Sequence, residues 1–334
     1  MRIDISRSNA WIRVSEQCRS ALPFEDATVR VTAYMGLPHA LYEATQGLAR
    51  LYSFKKTIAV VPPVEPVVES VLIGFSEDGY ALKYLTEAEA ADPTGAWLSN
   101  IANELVFVIW SNDDPITGRL YERSTLNDVL KDKRIFRISL NHSPRFIPQS
   151  LTRPEPFETR ILSVRDDLAV ILAGERFRIS PLIAGQLPWP EEPDEVQLKP
   201  VEETEAERLK KLVLEFEAQL PAGFKPYFSE SEKRVYDRAV FYNESLDGSA
   251  LIELLASSIG ERIAPAGKQN KFEALSPCRW NDQRLLDWLL NRGEKESVIR
   301  GLVLIDASAV QDDLVKKLEE AAATLHKLQS GGVS

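Results

Sequence analysis

Apolar residues along the first half of the chain follow two alternating patterns, short continuous runs and stripes at helical spacing. Continuous runs occur at Thr57–Val61 and Leu105–Trp110, and runs this short and uniform are typical of buried strands. Leu41, Ala44 and Leu48 recur every three or four residues before the first run, which predicts a helix. This alternation predicts a mainly parallel sheet with helices on its faces.

Two further apolar runs lie close together between Glu158 and Ile179. Thr159–Val164 and Leu168–Ala173 are separated only by the polar residues 165–167, and Gly174-Glu175-Arg176 follows the second run. Neither run carries a helical stripe. They therefore predict two adjacent strands of a covered sheet.

A proline-rich, acidic segment at residues 187–200 predicts a domain boundary. Beyond it, helices are predicted at Glu202–Leu220 and Gly248–Ser258, and Ser308 is predicted to cap the final helix. We therefore predict a major α/β domain in residues 36–200. Residues 1–35 and 201–334 are predicted to form a smaller α+β domain.

Charge and composition narrow the classes of partner. The net charge is −10 without a basic block, which argues against nucleic acid or an anionic membrane as the main partner. No apolar run approaches membrane-spanning length, and residues 1–4 do not begin a secretory signal. The two cysteines, Cys18 and Cys278, lie far apart, so a reduced, cytoplasmic protein is predicted.

Several segments resemble the fold type I enzymes that use pyridoxal phosphate (PLP), the aminotransferase family. Ser163 and Gly174-Glu175-Arg176 are similar to a segment in which Ser-x-Ser-Lys precedes an apolar stretch and Gly-x-Arg. Leu105–Gly118 resembles the family's strand ending in Asn-Pro-x-Gly, and Arg238–Phe272 its small-domain strand, helix and turn. The resemblance covers most of the chain from about Gly36 onward. It implies a three-layer, PLP-dependent-transferase-like major domain with a mainly parallel sheet, beside a smaller α+β domain.

The residues at the family's central positions depart from its pattern. The lysine that holds the cofactor falls near Arg165 or Asp166, and neither can form a Schiff base, because a guanidinium stays protonated and a carboxylate has no amine. Asp114 stands where the family's asparagine faces the phenolic oxygen of PLP. Asn141 stands where an aspartate pairs with the pyridine nitrogen. The resemblance therefore implies a degenerate member that lacks the Schiff-base lysine.

Three retained residues are candidates for binding an anion. Ser163 and Arg176 offer the hydroxyl and guanidinium that a phosphate needs, although Arg176 could instead pair with a carboxylate such as Glu175. Arg300 lies in Val298–Leu304, which resembles the strand whose arginine binds a substrate α-carboxylate. The alternative is that Arg300 forms a structural ion pair. No metal site is predicted, because the paired aspartates have no third ligand at suitable spacing.

Two classes of function follow from the resemblance. The first is a pseudoenzyme without a cofactor, which acts as a scaffold, a partner-binding protein or a sensor of a small carboxylate or phosphate. The alternative is an active PLP-dependent enzyme of the aminotransferase type, or one with altered chemistry in the same cleft. A homodimer is expected in both cases, because the fold normally buries a large apolar surface against its twin. Neither nucleic acid nor a membrane is expected as a partner.

Overall fold

The computed structural model describes residues 5–25, 29–62, 66–114, 117–143, 151–165, 168–177, 203–229, 232–259, 272–274, 295–310 and 313–331. The chain divides into two compact units. The larger unit contains Met1–Ile116 and Leu120–Glu202, and the smaller unit contains Thr117–Arg119 and Glu203–Ser334. Each unit is built around its own sheet. No helix among the described residues is long and apolar enough to cross a membrane.

The larger unit alternates helices and strands, as the apolar pattern predicted. In chain order its elements are α1 (Ile5–Ala21), β1 (Val31–Tyr34), α2 (Gly36–Leu51), β2 (Thr57–Val61), α3 (Pro66–Glu77), β3 (Ala81–Tyr84), α4 (Glu87–Ala91), a 3₁₀ turn (Ala96–Asn100), β4 (Leu105–Ser111), α5 (Ser124–Asp132), β5 (Phe136–Asn141), β6 (Glu158–Arg165) and β7 (Leu168–Ala173).

Seven strands form one mainly parallel sheet in the order β1-β7-β6-β5-β4-β2-β3. Each neighbouring pair from β6 to β3 is parallel, and β7 is antiparallel to both β6 and β1. All residues of β2 and β4 are buried, as expected for strands that are covered on both faces. The predicted mainly parallel sheet is confirmed.

Helices cover both faces of this sheet. Phe107 and Ile109 of β4 share a core with buried residues of α2 and α3. Val108 and Trp110 belong to a different core, which includes buried residues of α5, because successive side chains of a strand point to opposite faces. Buried residues of α1 form a third core with β1, β6 and β7. The larger unit therefore has the predicted three layers.

The smaller unit contains a four-stranded antiparallel sheet in the order β10-β11-β9-β8. Its core joins this sheet to buried residues of α6, α7 and α9, an α+β arrangement. In chain order its elements are α6 (Glu203–Ala218), β8 (Lys225–Pro226), β9 (Arg238–Tyr242), α7 (Gly248–Ile259), β10 (Phe272–Ala274), α8 (Glu296–Arg300), β11 (Leu302–Asp306), a 3₁₀ turn (Ala307–Ala309) and α9 (Leu314–Gly331).

Two details differ from the sequence-based expectations. Residues 1–35 belong to the larger unit, because β1 pairs with β7 along Val31–Tyr34. Ser308 lies in a 3₁₀ turn, whereas the final helix begins at Leu314, directly after Asp313. Aspartate is favoured at helix N-caps, and Asp313 directly precedes the helix. The expected boundary segment, 187–200, lies outside the described residues.

Candidate functional site

The candidate site lies where the parallel strands β4 and β5 end side by side, with Ser111 paired to Leu140. The carboxyl ends of parallel strands meet at one edge of a sheet, and open α/β sheets bind their ligands at this edge. The residues that follow both strands are polar and largely buried. The larger unit therefore concentrates its polar chemistry at this edge.

Asp113 joins the ends of the two strands. Its Oδ1 accepts a hydrogen bond from the backbone N of His142, and its Oδ2 accepts one from the backbone N of Ser143, both at 2.8 Å. The Oγ of Ser111 lies 2.7 Å from the Nε2 of His142. These contacts fix the turn that follows β5 and leave Asp113 engaged with the protein itself.

The two positions expected to face a cofactor ring are also engaged by protein groups. The Oδ1 of Asn141 accepts a hydrogen bond from the Nδ2 of Asn112 at 3.0 Å. The Oδ2 of Asp114 accepts one from the hydroxyl of Tyr121, also at 3.0 Å. Asn141 and Asp114 are both buried. Polar groups that are removed from water need such partners. Asn141 and Asp114 find theirs in other side chains of the protein.

Arg123 joins the polar edge to the end of β2, which the sequence analysis did not anticipate. Its guanidinium donates to both carboxylate oxygens of Glu87, at 2.7 and 3.0 Å, and to the carbonyl oxygen of Pro62 at 3.3 Å. It also lies 4.7 Å from the ring centroid of Tyr121. The only sequence signal was the arginine before α5, which is not distinctive.

Ser163 and Arg176 do not form the anion cup that was considered. Ser163 pairs with Ala169 near the carboxyl end of β6. The backbone N of Arg176 donates to the carbonyl oxygen of Pro156, just before β6 begins. The five residue steps from Glu158 to Ser163 span about 17 Å of strand. The two side chains therefore belong to opposite ends of the β6–β7 hairpin, because the chain reverses direction between them.

The predicted position of Arg300 within an apolar strand is wrong. Arg300 ends α8, and the strand begins two residues later, at Leu302. Its NH2 lies 2.5 Å from the Oε1 of Glu296, one helical turn earlier, and both side chains are exposed. The structure thus contains the ion pair that was the alternative reading of Arg300.

The residues at the expected lysine position are only partly described. β6 ends at Arg165, whose side chain lies outside the described residues, as does Asp166. Glu175, the carboxylate proposed as a partner of Arg176, pairs with Arg153. Gly174 is needed for packing, because a Cβ atom there would collide with the carbonyl oxygen of Glu155.

Glu43 is a buried acid that the sequence analysis did not identify. It lies on α2 and is fully buried, and neither of its carboxylate oxygens has a hydrogen-bond partner. His39 lies one helical turn earlier, with its Nε2 at 3.9 Å from Oε1. Burial raises the pKa of Glu43 to about 7, although the charge of Arg50 opposes this shift. Burial also lowers the pKa of His39.

Metal binding has no obvious location in the described part of the chain. No group of three or more histidine, cysteine, aspartate or glutamate side chains there could hold a metal ion. Asp113 and Asp114, the adjacent carboxylates considered from the sequence, instead accept hydrogen bonds from backbone and tyrosine groups.

Solved structures similar to this chain include several PLP-dependent enzymes. A NifS-like protein has a TM-score of 0.71 and 15% identity, covering 97% of this chain and 90% of its own. The apo cysteine desulfurase of Thermococcus onnurineus has a TM-score of 0.60 and 12% identity, covering 98% of this chain and 86% of its own. An aminotransferase of pseudoaminic acid biosynthesis from Helicobacter pylori has a TM-score of 0.56 and 10% identity, covering 95% of this chain and 91% of its own.

This chain has the fold of the PLP-dependent transferases. The mixed α/β architecture and the mainly parallel seven-stranded sheet agree with that fold. No protein-family model and no curated protein matches the sequence. At 10 to 15% identity, the likeness extends to the fold alone.

Proposed function

We propose that this chain is a non-catalytic relative of the fold type I PLP enzymes that acts as a scaffold or partner-binding protein. One observation carries the proposal: the chain has no lysine between Lys133 and Lys199. β6 and the turn after it, where the family's lysine would stand, therefore contain no amine. Without that amine, no Schiff base can hold the cofactor at this position.

The residues around the expected ring position do not fit PLP either. Asp114 would place a carboxylate beside the phenolic oxygen of the cofactor, and two negative charges repel. Asn141 is neutral, so it cannot supply the counter-charge that stabilises a protonated pyridine ring. Tyr121 and Asn112 already hydrogen-bond these two side chains. The described residues of this edge therefore favour a site that is filled by the protein's own contacts.

The arrangement of the arginines favours a scaffold or partner-binding role over small-anion sensing. Ser163 and Arg176 lie at opposite ends of a hairpin. Arg300 pairs with Glu296, and both side chains are exposed. Exposed ion pairs of this kind contribute little energy, and Ser163 and Arg176 are too far apart to bind one anion together. We also propose that the protein is a cytoplasmic homodimer and that the larger unit is its major domain.

Reductive labelling tests the proposal directly. The protein is incubated with equimolar PLP, reduced with borohydride and mapped by peptide mass spectrometry, while the absorbance of an internal aldimine is followed before reduction. We expect no aldimine band and only scattered, substoichiometric pyridoxyl-lysine. The exposed residues Lys211 and Lys316 give the background of non-specific labelling. Stoichiometric labelling of a single lysine above this background would refute the proposal in favour of an active PLP enzyme.

A further inference from the structure

The edge of the large sheet opposite the polar network carries exposed basic and aromatic residues. We call it the basic edge and define it by residues that precede the parallel strands β2 and β5: Arg50, Leu51, Phe54, Lys55, Lys56, Lys133 and Arg134.

The residues of the basic edge are neighbours because of the strand order. β2 and β5 both flank β4 and run parallel to it, so their amino ends lie about 10 Å apart. The backbone N of Lys56 donates to the carbonyl oxygen of Glu104, and the Nζ of Lys55 donates to that of Leu105 at 3.0 Å. The rings of Tyr52 and Phe136 lie 5.3 Å apart. The loops before the three strands therefore form one continuous surface.

Two large apolar side chains project from this surface. Phe54 is 74% exposed and Leu51 is 51% exposed. The ring of Phe54 makes an edge contact with Tyr52, at a centroid distance of 6.1 Å. Single exposed apolar residues are common, but an exposed phenylalanine beside an exposed leucine offers an anchor for another molecule.

The charge of the basic edge opposes that of the whole protein. Lys56, Lys133 and Arg134 are exposed, whereas the chain carries a net charge of −10.

The backbone at Arg134 is also unusual. Its φ is 53°, a left-handed conformation that is uncommon for residues other than glycine.

Nearby carboxylates cancel only part of this positive charge. Glu155 is engaged by Lys131 at 2.5 Å and by Arg137 at 2.6 Å. Glu104 and Asp132 also lie on the loops of this edge. Glu77 and Asp78 precede β3, and the ring of Tyr80, directly before β3, lies 4.4 Å from the Nζ of Lys56. Set against the five cations of the basic edge, these four carboxylates leave one positive charge in excess.

We propose that the basic edge binds a short acidic segment of a partner protein, one that carries an apolar side chain for the Phe54 and Leu51 anchor. This inference rests on the proposed partner-binding role and adds the chemistry of the partner. A short peptide meets only the local positive charge, because charges beyond about 8 Å are screened at physiological salt. An anionic membrane or a nucleic acid covers more of the protein, and the net charge of −10 repels it.

The test uses fluorescein-labelled peptides of twelve residues, rich in aspartate and glutamate, with two leucines. Fluorescence anisotropy with the full chain should show binding that weakens as sodium chloride is raised. A peptide with lysine at every acidic position should not bind. The variants Phe54→Ser and Lys133→Glu should each weaken binding, and their combination should weaken it at least about 10-fold, as expected for loss of an anchor and a charge reversal.

The matched control combines Leu328→Ser with Lys316→Glu, which also replaces one exposed apolar side chain by serine and reverses one lysine charge, but on α9. It should bind the acidic peptide as the wild type does. Circular dichroism melting verifies that all variants are folded. Absence of binding to the acidic peptide at millimolar concentration, or equal loss in the control, would overturn the proposal.

Two further measurements distinguish other occupants. Sedimentation with vesicles of anionic phospholipid that exceeds peptide binding would assign the basic edge to a membrane instead. Dissociation of a wild-type dimer by Phe54→Ser and Lys133→Glu, seen by light scattering, would assign it to a second copy of this chain. Reductive labelling with PLP uses none of these residues. The peptide-binding experiment and the labelling experiment can therefore fail independently, and each result counts against only one of the two proposals.

Discussion

Glu43 is a carboxylic acid that the larger unit holds in its interior without a hydrogen bond to either oxygen. A buried carboxylate is costly, so such a group tends to remain protonated to a higher pH. His39 is 3.9 Å away, beyond hydrogen-bond distance. Because burial lowers the pKa of His39, its positive charge does little to offset a negative charge on Glu43. The residue therefore links the stability of the larger unit to pH.

Replacing Glu43 by glutamine should remove a pH dependence of stability. The pKa is about 7 in the folded chain against an ordinary value of 4.5. As the pH rises from 4.5 through 7, the unfolded chain loses the proton first, so the free energy of unfolding falls. The fall amounts to about 3 kcal/mol and is complete above pH 7. Glu43→Gln should lack this fall, as measured by urea denaturation at pH 4.5, 6 and 8.

The exposed Glu320 of α9 provides the control. Glu320→Gln should keep the wild-type dependence on pH, because that carboxylate is solvated in both states. The contribution of His39 is present in both proteins and cancels from the comparison. A Glu43→Gln variant whose free energy of unfolding still falls like the wild type's would show that Glu43 is ionised in the folded chain at low pH.

At the scale of elements, the carboxyl ends of β4 and β5 depend on one side chain. Asp113 accepts hydrogen bonds from two successive backbone N–H groups after β5. It is 1% exposed, so water cannot easily replace it. Asn141, which stands where the family that this chain resembles has a cofactor-pairing aspartate, ends β5, and a structural carboxylate fixes the turn directly after it.

Asp113→Ala should destabilise the larger unit by about 2 to 4 kcal/mol, because one buried and one part-buried N–H group lose their acceptor. Asp113→Asn should have a smaller effect, since one oxygen remains. Thermal and urea unfolding measure both. Asp92→Ala is the matched control: Asp92 also accepts from two backbone N–H groups, those of Thr94 and Ala96, but in an exposed loop. A loss as large at Asp92 as at Asp113 would contradict the role assigned to burial.

The strands were predictable because their apolar runs have no other stable placement. β2, β4 and β7 coincide with uniform runs such as Thr57–Val61. Arg300 was misplaced because a short helix, Glu296–Arg300, directly precedes the apolar residues of β11, and a single turn leaves no periodicity to detect. Helix and strand boundaries are therefore the weak point of such predictions.

For the whole molecule, the order of elements was enough to predict the fold, whereas the geometry of the site was not. Ser163 and Arg176 are thirteen residues apart, and the sequence does not reveal that a tight reversal places them at opposite ends of one hairpin. The contacts of Asp113 and Tyr121 depend on how two strand ends meet in space. Glu43 carried no sequence signal, because one acid within a helical stripe is usually solvated.

A homodimer remains a prediction at this scale. The fold implied by the resemblance normally buries a large apolar surface between two major domains, and such interfaces persist on dilution. Ile12 on α1 is 53% exposed and offers apolar surface on the larger unit. Light scattering across a dilution series should give twice the 37.5 kDa of one chain.

The variant Ile12→Glu should shift the mass toward the monomer. The control Leu328→Glu should not shift it, although it is an equally drastic change at an exposed position of the smaller unit. A monomeric mass at every concentration of the wild type would rule out the dimer, and an unchanged dimer in Ile12→Glu would place its interface elsewhere on the chain.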